Sequence, residues 1–273
     1  MKDEGKVFVS AFSGWQGCLD RLLDEIGLPE IIGKKNPVLI KPNLVEALAP
    51  PITTPVELID ELIGYLRTKN PALEIIVGEG SGAKEYDTMH AFRELGYVGL
   101  AEKRGVRLVD LNSEPLRRLS LEKCRRWPEM YLPELVLDSF LLSVPVLKAH
   151  SLASVTITMK NMMGCAPPAH YQKGGHWKKA SFHADVQAAV LDLNRYRTPD
   201  FTILDATVGM EKAHLWGPTC NPPHRKLAAA VDPVALDAYG AGLLGRDWQG
   251  IGHIRGAHGE LGKASPLEII TCE

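Results

Sequence analysis

Short apolar runs alternating with amphipathic helical segments constrain this chain more than any other feature. "VLIKPN" (38–43) is an apolar run bounded by proline and reads as a buried strand. In "TPVELIDELIGYLR", Leu58, Ile59, Leu62, Ile63 and Leu66 form one helical stripe. Thr54 is the expected N-cap, with Pro55 at the first helical position and Glu57 completing a capping box. "LEIIVGEGSG" is a strand entering a glycine-rich loop, "DTMHAFRELGY" a helix capped by Asp87 and closed at Gly96, and "VRLVDL" a strand. "SFLLSVPVLKAH" reads as a long buried strand in which Pro145 predicts a bulge or an edge. "SFHADVQAAVLDLNRY" is a helix with Val186, Val190 and Leu193 on one face, and "DFTILDATVGM" is a strand. "KLAAAVDPVALDAYGAGLLG" is strand, turn and helix, with Asp232 as cap. Such alternation predicts an α/β fold, a largely parallel sheet with helices on both faces. At 273 residues, length leaves one domain or two lobes open. We read 1–273 as a single α/β domain with an irregular excursion near 113–138.

Charge excludes some partners. The formal net charge is -2, which advertises neither nucleic acid nor an anionic membrane. The basic runs "KCRRW" and "EKRGVR" read as solvated faces. No apolar run reaches the roughly 18 residues of a spanning helix, and "MKDEGKVFVSAFSG" lacks the features of a signal peptide. A cytoplasmic location is expected. The five cysteines, Cys18, Cys124, Cys165, Cys220 and Cys272, contain no C-x-x-C pair, so spacing gives no iron-sulfur cassette or zinc ribbon.

Ligands of open α/β sheets sit beyond the carboxyl ends of the strands. Five predicted strands deliver polar or glycine-rich ends there: Lys41-Pro42-Asn43, the "GEGSG" of 78–82, Lys148 with His150, Asp205 with Glu211 a few residues on, and Asp232. "GEGSG" has neither phosphate-loop nor dinucleotide spacing, but its glycines let backbone amides approach an anion. Each feature also has a structural reading: a turn for Lys-Pro-Asn, a helix cap for Asp232, a core or cap role for His150 and His183. "PPAHYQKGGHWKK", with His170 and His176, reads as a loop able to close over a ligand or as plain surface.

Together these residues suit a small carboxylate or phosphate substrate. His150, His183 and Lys148 are the catalytic candidates. Lys41, Asn43, Ser81, Lys160 and Asn161 are the candidates for holding the substrate. Glu79, Asp205 and Glu211 orient the imidazoles or hold a divalent metal. Two other readings stay open: a redox protein that meets a partner's cluster or organic cofactor at Cys165, and a non-catalytic ligand-binding protein.

"VPVLKAHSLASVTITMKNMMG", a histidine about twenty residues on, "ILDATVGMEKAHLWGPT" and "AVDPVALDAYGAGLLG" resemble the family catalogued as domain of unknown function 362. "KPNL" and "GEGS" resemble its opening motifs, and the resemblance runs over about 38–258. It implies an intracellular prokaryotic protein, and it implies that Lys41, Asn43, Glu79, Ser81, Lys148, His150, Lys160, Asn161, Gly164, His183, Asp205, Glu211, Gly217, Asp232 and Asp237 are motif positions. Some relatives carry a ferredoxin-like segment with cysteine cassettes; this chain departs from them in having none.

Overall fold

The computed structural model describes residues 3–273. Its strands are β1 (Lys6–Ala11), β2 (Val38–Pro42), β3 (Ile75–Glu79), β4 (Arg107–Asp110), β5 (Leu116–Ser120), β6 (Glu129–Pro133), β7 (Phe140–Val144), β8 (Val146–His150), β9 (Ser154–Thr156), β10 (Phe201–Met210), β11 (Lys226–Ala230) and β12 (Glu268–Cys272). Its α-helices are α1 (Trp15–Ile26), α2 (Leu28–Ile32), α3 (Val56–Lys69), α4 (Thr88–Glu94), α5 (Tyr97–Arg104), α6 (Glu134–Asp138), α7 (Thr158–Asn161), α8 (Pro168–Tyr171), α9 (Val186–Tyr196), α10 (Pro233–Leu243) and α11 (Gly252–Ala257).

Ten strands form one sheet in the order β12-β1-β11-β10-β7-β2-β3-β4, with β8 paired to β10 and to β9. Only β11 and β9 run against the others among the described residues. The sheet is therefore largely parallel. Its strands feed two cores by simple alternation. Val38, Ile40, Ile75 and Val77 pack on one side with Leu19, Leu22, Leu58 and Leu62 of α1 and α3. Leu39, Ile76, Leu141 and Leu204 pack on the other with residues of α9, α10 and α11. Helices cover both faces, as the alternation predicts.

Local signals fared unequally. Asp87 caps α4 by accepting from His90 N at 2.8 Å, and Asp232 caps α10 by accepting from Val234 N and Ala235 N. Thr54 does not cap α3. Pro55 occupies that position without a side-chain bond, and the Thr54 hydroxyl is used across the sheet. It accepts from Asn43 N at 2.8 Å and donates to Val144 O at 2.7 Å, tying the ends of β2 and β7 together. Pro145 divides the expected long strand. β7 pairs with β2 and β10 before it, and β8 pairs with β10 and β9 after it. Residues 116–133 contain a separate two-stranded antiparallel sheet, β5-β6. No helix among the described residues is long and apolar enough to cross a membrane.

Candidate functional site

A pocket of about 200 Å³ lies where β2, β3 and β8 end. Asn43, one residue beyond β2, lines it with Glu79 at the end of β3 and Lys148 and His150 in β8. The turn after β9 adds Lys160 and Asn161 from α7, and the segments before α9 and after β10 add His183 and His214. Strand ends therefore carry the first of these groups, and connecting segments bring in the rest.

A hydrogen-bonded chain runs beneath the pocket. Lys41 Nζ lies 2.8 Å from Glu79 Oε1, and both side chains are buried. Lys41 also donates to Asn161 Oδ1 at 3.2 Å, which accepts from Asn43 Nδ2 at 2.8 Å. Asn43 Oδ1 accepts from Lys148 Nζ at 2.6 Å, and Lys148 donates a second bond to Ile52 O at 2.6 Å. Asn161 Nδ2 donates to Ser143 Oγ at 3.0 Å. Glu79 accepts from Leu44 N at 2.9 Å and Gly80 N at 2.8 Å. Close backbone approach at Gly164 makes room for the ion pair. A Cβ there would stand 1.9 Å from Glu79 Oε1 and 2.6 Å from Lys41 Nζ.

Above this chain the pocket is rich in cations. Burial, the Lys160 ammonium and Lys41 together push Lys148 well below the ordinary lysine range. Burial lowers Lys160 to about 8 and Lys179 to about 7. The only carboxylate lining the pocket, among the described residues, is Glu79, which is already paired with Lys41.

The imidazoles are held neutral. His150 Nδ1 accepts from Leu152 N and Ala153 N, each at 3.1 Å. A ring protonated at Nδ1 would meet two N–H groups, so the proton sits on Nε2. That atom is buried and has no partner among the described residues. His214 stacks on His150 with ring centroids 4.1 Å apart. Burial, aided by Lys160 and His214, lowers His150 to about 2. Burial and Lys160 lower His214 to about 3 and also lower His183. The turn at 150–153 thus presents His150 as an acceptor at Nδ1, with Nε2–H facing the pocket.

Several expected residues lie elsewhere. Ser81 is buried beside the pocket, where its amide donates to Thr88 Oγ1 at 3.1 Å. Asp205 does not end its strand; β10 continues past it to Met210, and its buried carboxylate accepts from Thr207 N at 2.8 Å. Glu211 is exposed, 3.9 Å from Lys212. Neither lines the pocket with Glu79, and no group of three His, Cys, Asp or Glu among the described residues could hold a metal ion. Cys165 is fully buried, its thiol pushed up to about 11 by burial.

Sequence reasoning missed His214, Lys179 and Trp177. His214 lies four residues past the end of β10, on a connecting segment that carries no periodic signal. Lys179 and Trp177 belong to the "GGHWKK" segment, which is latched to the glycine-rich loop. Trp177 bridges Ala83, Lys178 N donates to Gly82 O at 2.8 Å and Lys178 Nζ donates to Tyr86 O at 2.6 Å. Lys179 Nζ donates to Asn112 Oδ1 and Ala166 O. In that segment's neighbourhood His170 turns away to stack on Tyr131 at 3.8 Å. Asp237, a motif position without an expected role, accepts from Thr158 N at 2.7 Å and Met159 N at 3.0 Å, so α10 fixes the start of α7 and with it Lys160 and Asn161.

Comparison with curated proteins finds no match. Among solved structures, the lactate racemase apoprotein from Thermoanaerobacterium thermosaccharolyticum aligns at 16% identity and a TM-score of 0.49, over 84% of this chain and 55% of that one. The chain thus spans about half the length of that protein, and likeness at this level bears on neither substrate nor reaction. The model of the family described as domain of unknown function 362 matches residues 38–242, more than half of the chain. The chain belongs to that family.

Proposed function

We propose that this protein is an enzyme of small-molecule metabolism that binds a small carboxylate or phosphate in the pocket. One observation carries the reading: Lys148, Lys160 and Lys179 line a pocket whose one carboxylate among the described residues is already paired with Lys41. Burying like charges without a counterion costs several kcal/mol. An anion 4 Å from one ammonium recovers about 4 kcal/mol at an effective dielectric of 20, before its own desolvation. Lys148 and Lys179 hold the anionic end. Asn43 and Asn161 keep Lys148 and Lys41 aimed. His150 donates Nε2–H to an oxygen that gains charge during reaction, and His183 carries protons.

The test is thermal unfolding of the purified protein with phosphate and with small mono- and dicarboxylates, at constant ionic strength and pH 7. At least one anion should raise the Tm in the wild type and fail to do so in Lys148→Met. If every anion leaves the wild-type Tm where chloride leaves it, the reading is wrong.

A further inference from the structure

Four lysine amines back or line the pocket, and three are engaged. Lys41 is ion-paired with Glu79. Lys148 donates to Asn43 Oδ1 and Ile52 O, and Lys179 to Asn112 Oδ1 and Ala166 O. Lys160 is 9% exposed and, among the described residues, its Nζ has no hydrogen-bond or ion-pair partner. Its position is nonetheless fixed, because Asp237 anchors the first turn of the helix that carries it. Its amine opens into the pocket while the rest of the side chain is buried, a setting that disfavours the ammonium, and the free amine that replaces it is a nucleophile.

Resting on the anion-pocket reading, we propose that Lys160 condenses with the carbonyl carbon of a small oxo acid or oxo phosphate and holds it as an imine, while Lys148 and Lys179 hold the anionic group. The Nζ lone pair attacks the carbonyl carbon, and the C=O π pair moves onto oxygen. A proton passes from nitrogen to that oxygen, giving a carbinolamine. The nitrogen lone pair then expels the oxygen, which leaves as water with one further proton drawn from solvent through His183. The product is a protonated imine, and neither an oxidant nor a reductant is consumed. His150 suits the addition step, since a neutral Nε2–H stabilises the alkoxide without surrendering its proton. Burial assists by keeping the Lys160 amine near half-deprotonated at mildly alkaline pH, with a pKa of about 8.

The geometry favours Lys160 over the other amines. Lys148 and Lys179 each donate two hydrogen bonds to carbonyl-type oxygens that condensation would strain or break, whereas Lys160 has none to lose. Lys41 lies under Glu79 and does not line the pocket.

The test is reductive trapping. The whole protein is incubated with sodium cyanoborohydride and, separately, pyruvate, glyoxylate, 2-oxoglutarate or dihydroxyacetone phosphate, then analysed by intact and peptide mass spectrometry. One equivalent should be trapped with at least one probe, adding the mass of the probe less one oxygen atom, and the label should map to Lys160. Lys160→Met should lose that label. Peptide mapping of the wild type alone decides the matter if the variant does not fold. Labelling absent, confined to exposed lysines, or unchanged in Lys160→Met overturns the proposal. If phosphate or simple carboxylates still raise the wild-type Tm in that case, the imine fails and the anion pocket survives; if they do not, both fail.

Discussion

Replacing Gly164 with alanine should disrupt the ion pair under the pocket without touching any charged residue. Gly164 has no left-handed φ, so an alanine backbone is unstrained there and the effect is purely steric. The added Cβ would meet Glu79 Oε1 at 1.9 Å, Lys41 Nζ at 2.6 Å and Lys41 Cε at 2.8 Å. Neither partner can retreat cheaply. Lys41 is 0% and Glu79 2% exposed, and Glu79 is bound by the amides of Leu44 and Gly80. Overpacking alone costs about 1–3 kcal/mol. Forcing Glu79 off Lys41 adds part of the roughly 3–5 kcal/mol that breaking a buried pair entails. A loss near 3 kcal/mol lowers the Tm by on the order of 10 °C for a chain of this size. Thermal unfolding followed by circular dichroism measures it. A Tm within about 2 °C of the wild type would show that the pair is not packed against Gly164 as described.

Mildly alkaline pH should stabilise the ligand-free protein. Lys148, Lys160 and Lys179 are all lowered in the fold, Lys160 to about 8 and Lys179 to about 7, from roughly 10.4 in the unfolded chain, so the unfolded state binds more protons and stability rises with pH until the unfolded cysteines ionise at about 8.5, where the buried Cys124 and Cys165, held up at about 11, oppose the rise. Denaturant unfolding from pH 7 to 8.5 should show the rise, and Lys160→Met should remove its own share and leave that of Lys148 and Lys179. Acid should do the reverse: His150 and His253 are lowered to about 2 and about 3 by burial, so stability falls as pH drops below about 6.5. A pH series from 7 to 5 that shows no loss contradicts those assignments. Nitrogen-15 NMR should find His150 as the Nε2–H tautomer from pH 5.5 to 8.5; an Nδ1–H signal would refute the turn geometry. Asp237→Ala should release the two amides that start α7, destabilise the fold by about 2–5 kcal/mol and weaken anion binding, read by denaturant unfolding and by titration calorimetry. Unchanged anion affinity in that variant would separate α7 from the site.

Much of this arrangement is legible before folding, for a physical reason. A polar residue placed directly after an apolar run tends to lie where the strand leaves the core, and Asn43, Glu79 and His150 follow that rule, while Lys148 lies inside β8, fully buried. Thr54, expected as a cap, and Asp205, expected at a strand end, depart from their readings for different reasons. Thr54 has the composition of a cap, but a neighbouring strand offers its hydroxyl better partners in Asn43 N and Val144 O. Asp205 follows an apolar run, yet the strand goes on through Thr207 and Val208 to Met210, and its register against β8 shifts between Asp205 and Met210. The neutrality of His150 could not be read from residue types, because it depends on two amide hydrogens in a turn three residues long. Lys179 and His214 reach the pocket from loops, where no periodicity marks their direction.

The central claim is that the buried amines await an anion, and proton linkage tests it most directly. Titration calorimetry with a stabilising carboxylate or phosphate at pH 8.5, repeated in buffers of different ionisation enthalpy, counts the protons exchanged on binding. Because an anion restores the ammonium form of Lys148, Lys160 and Lys179, all lowered by burial, binding should take up protons, up to about three in the wild type and fewer in Lys160→Met. Binding with no proton uptake, or with proton release, would contradict the account.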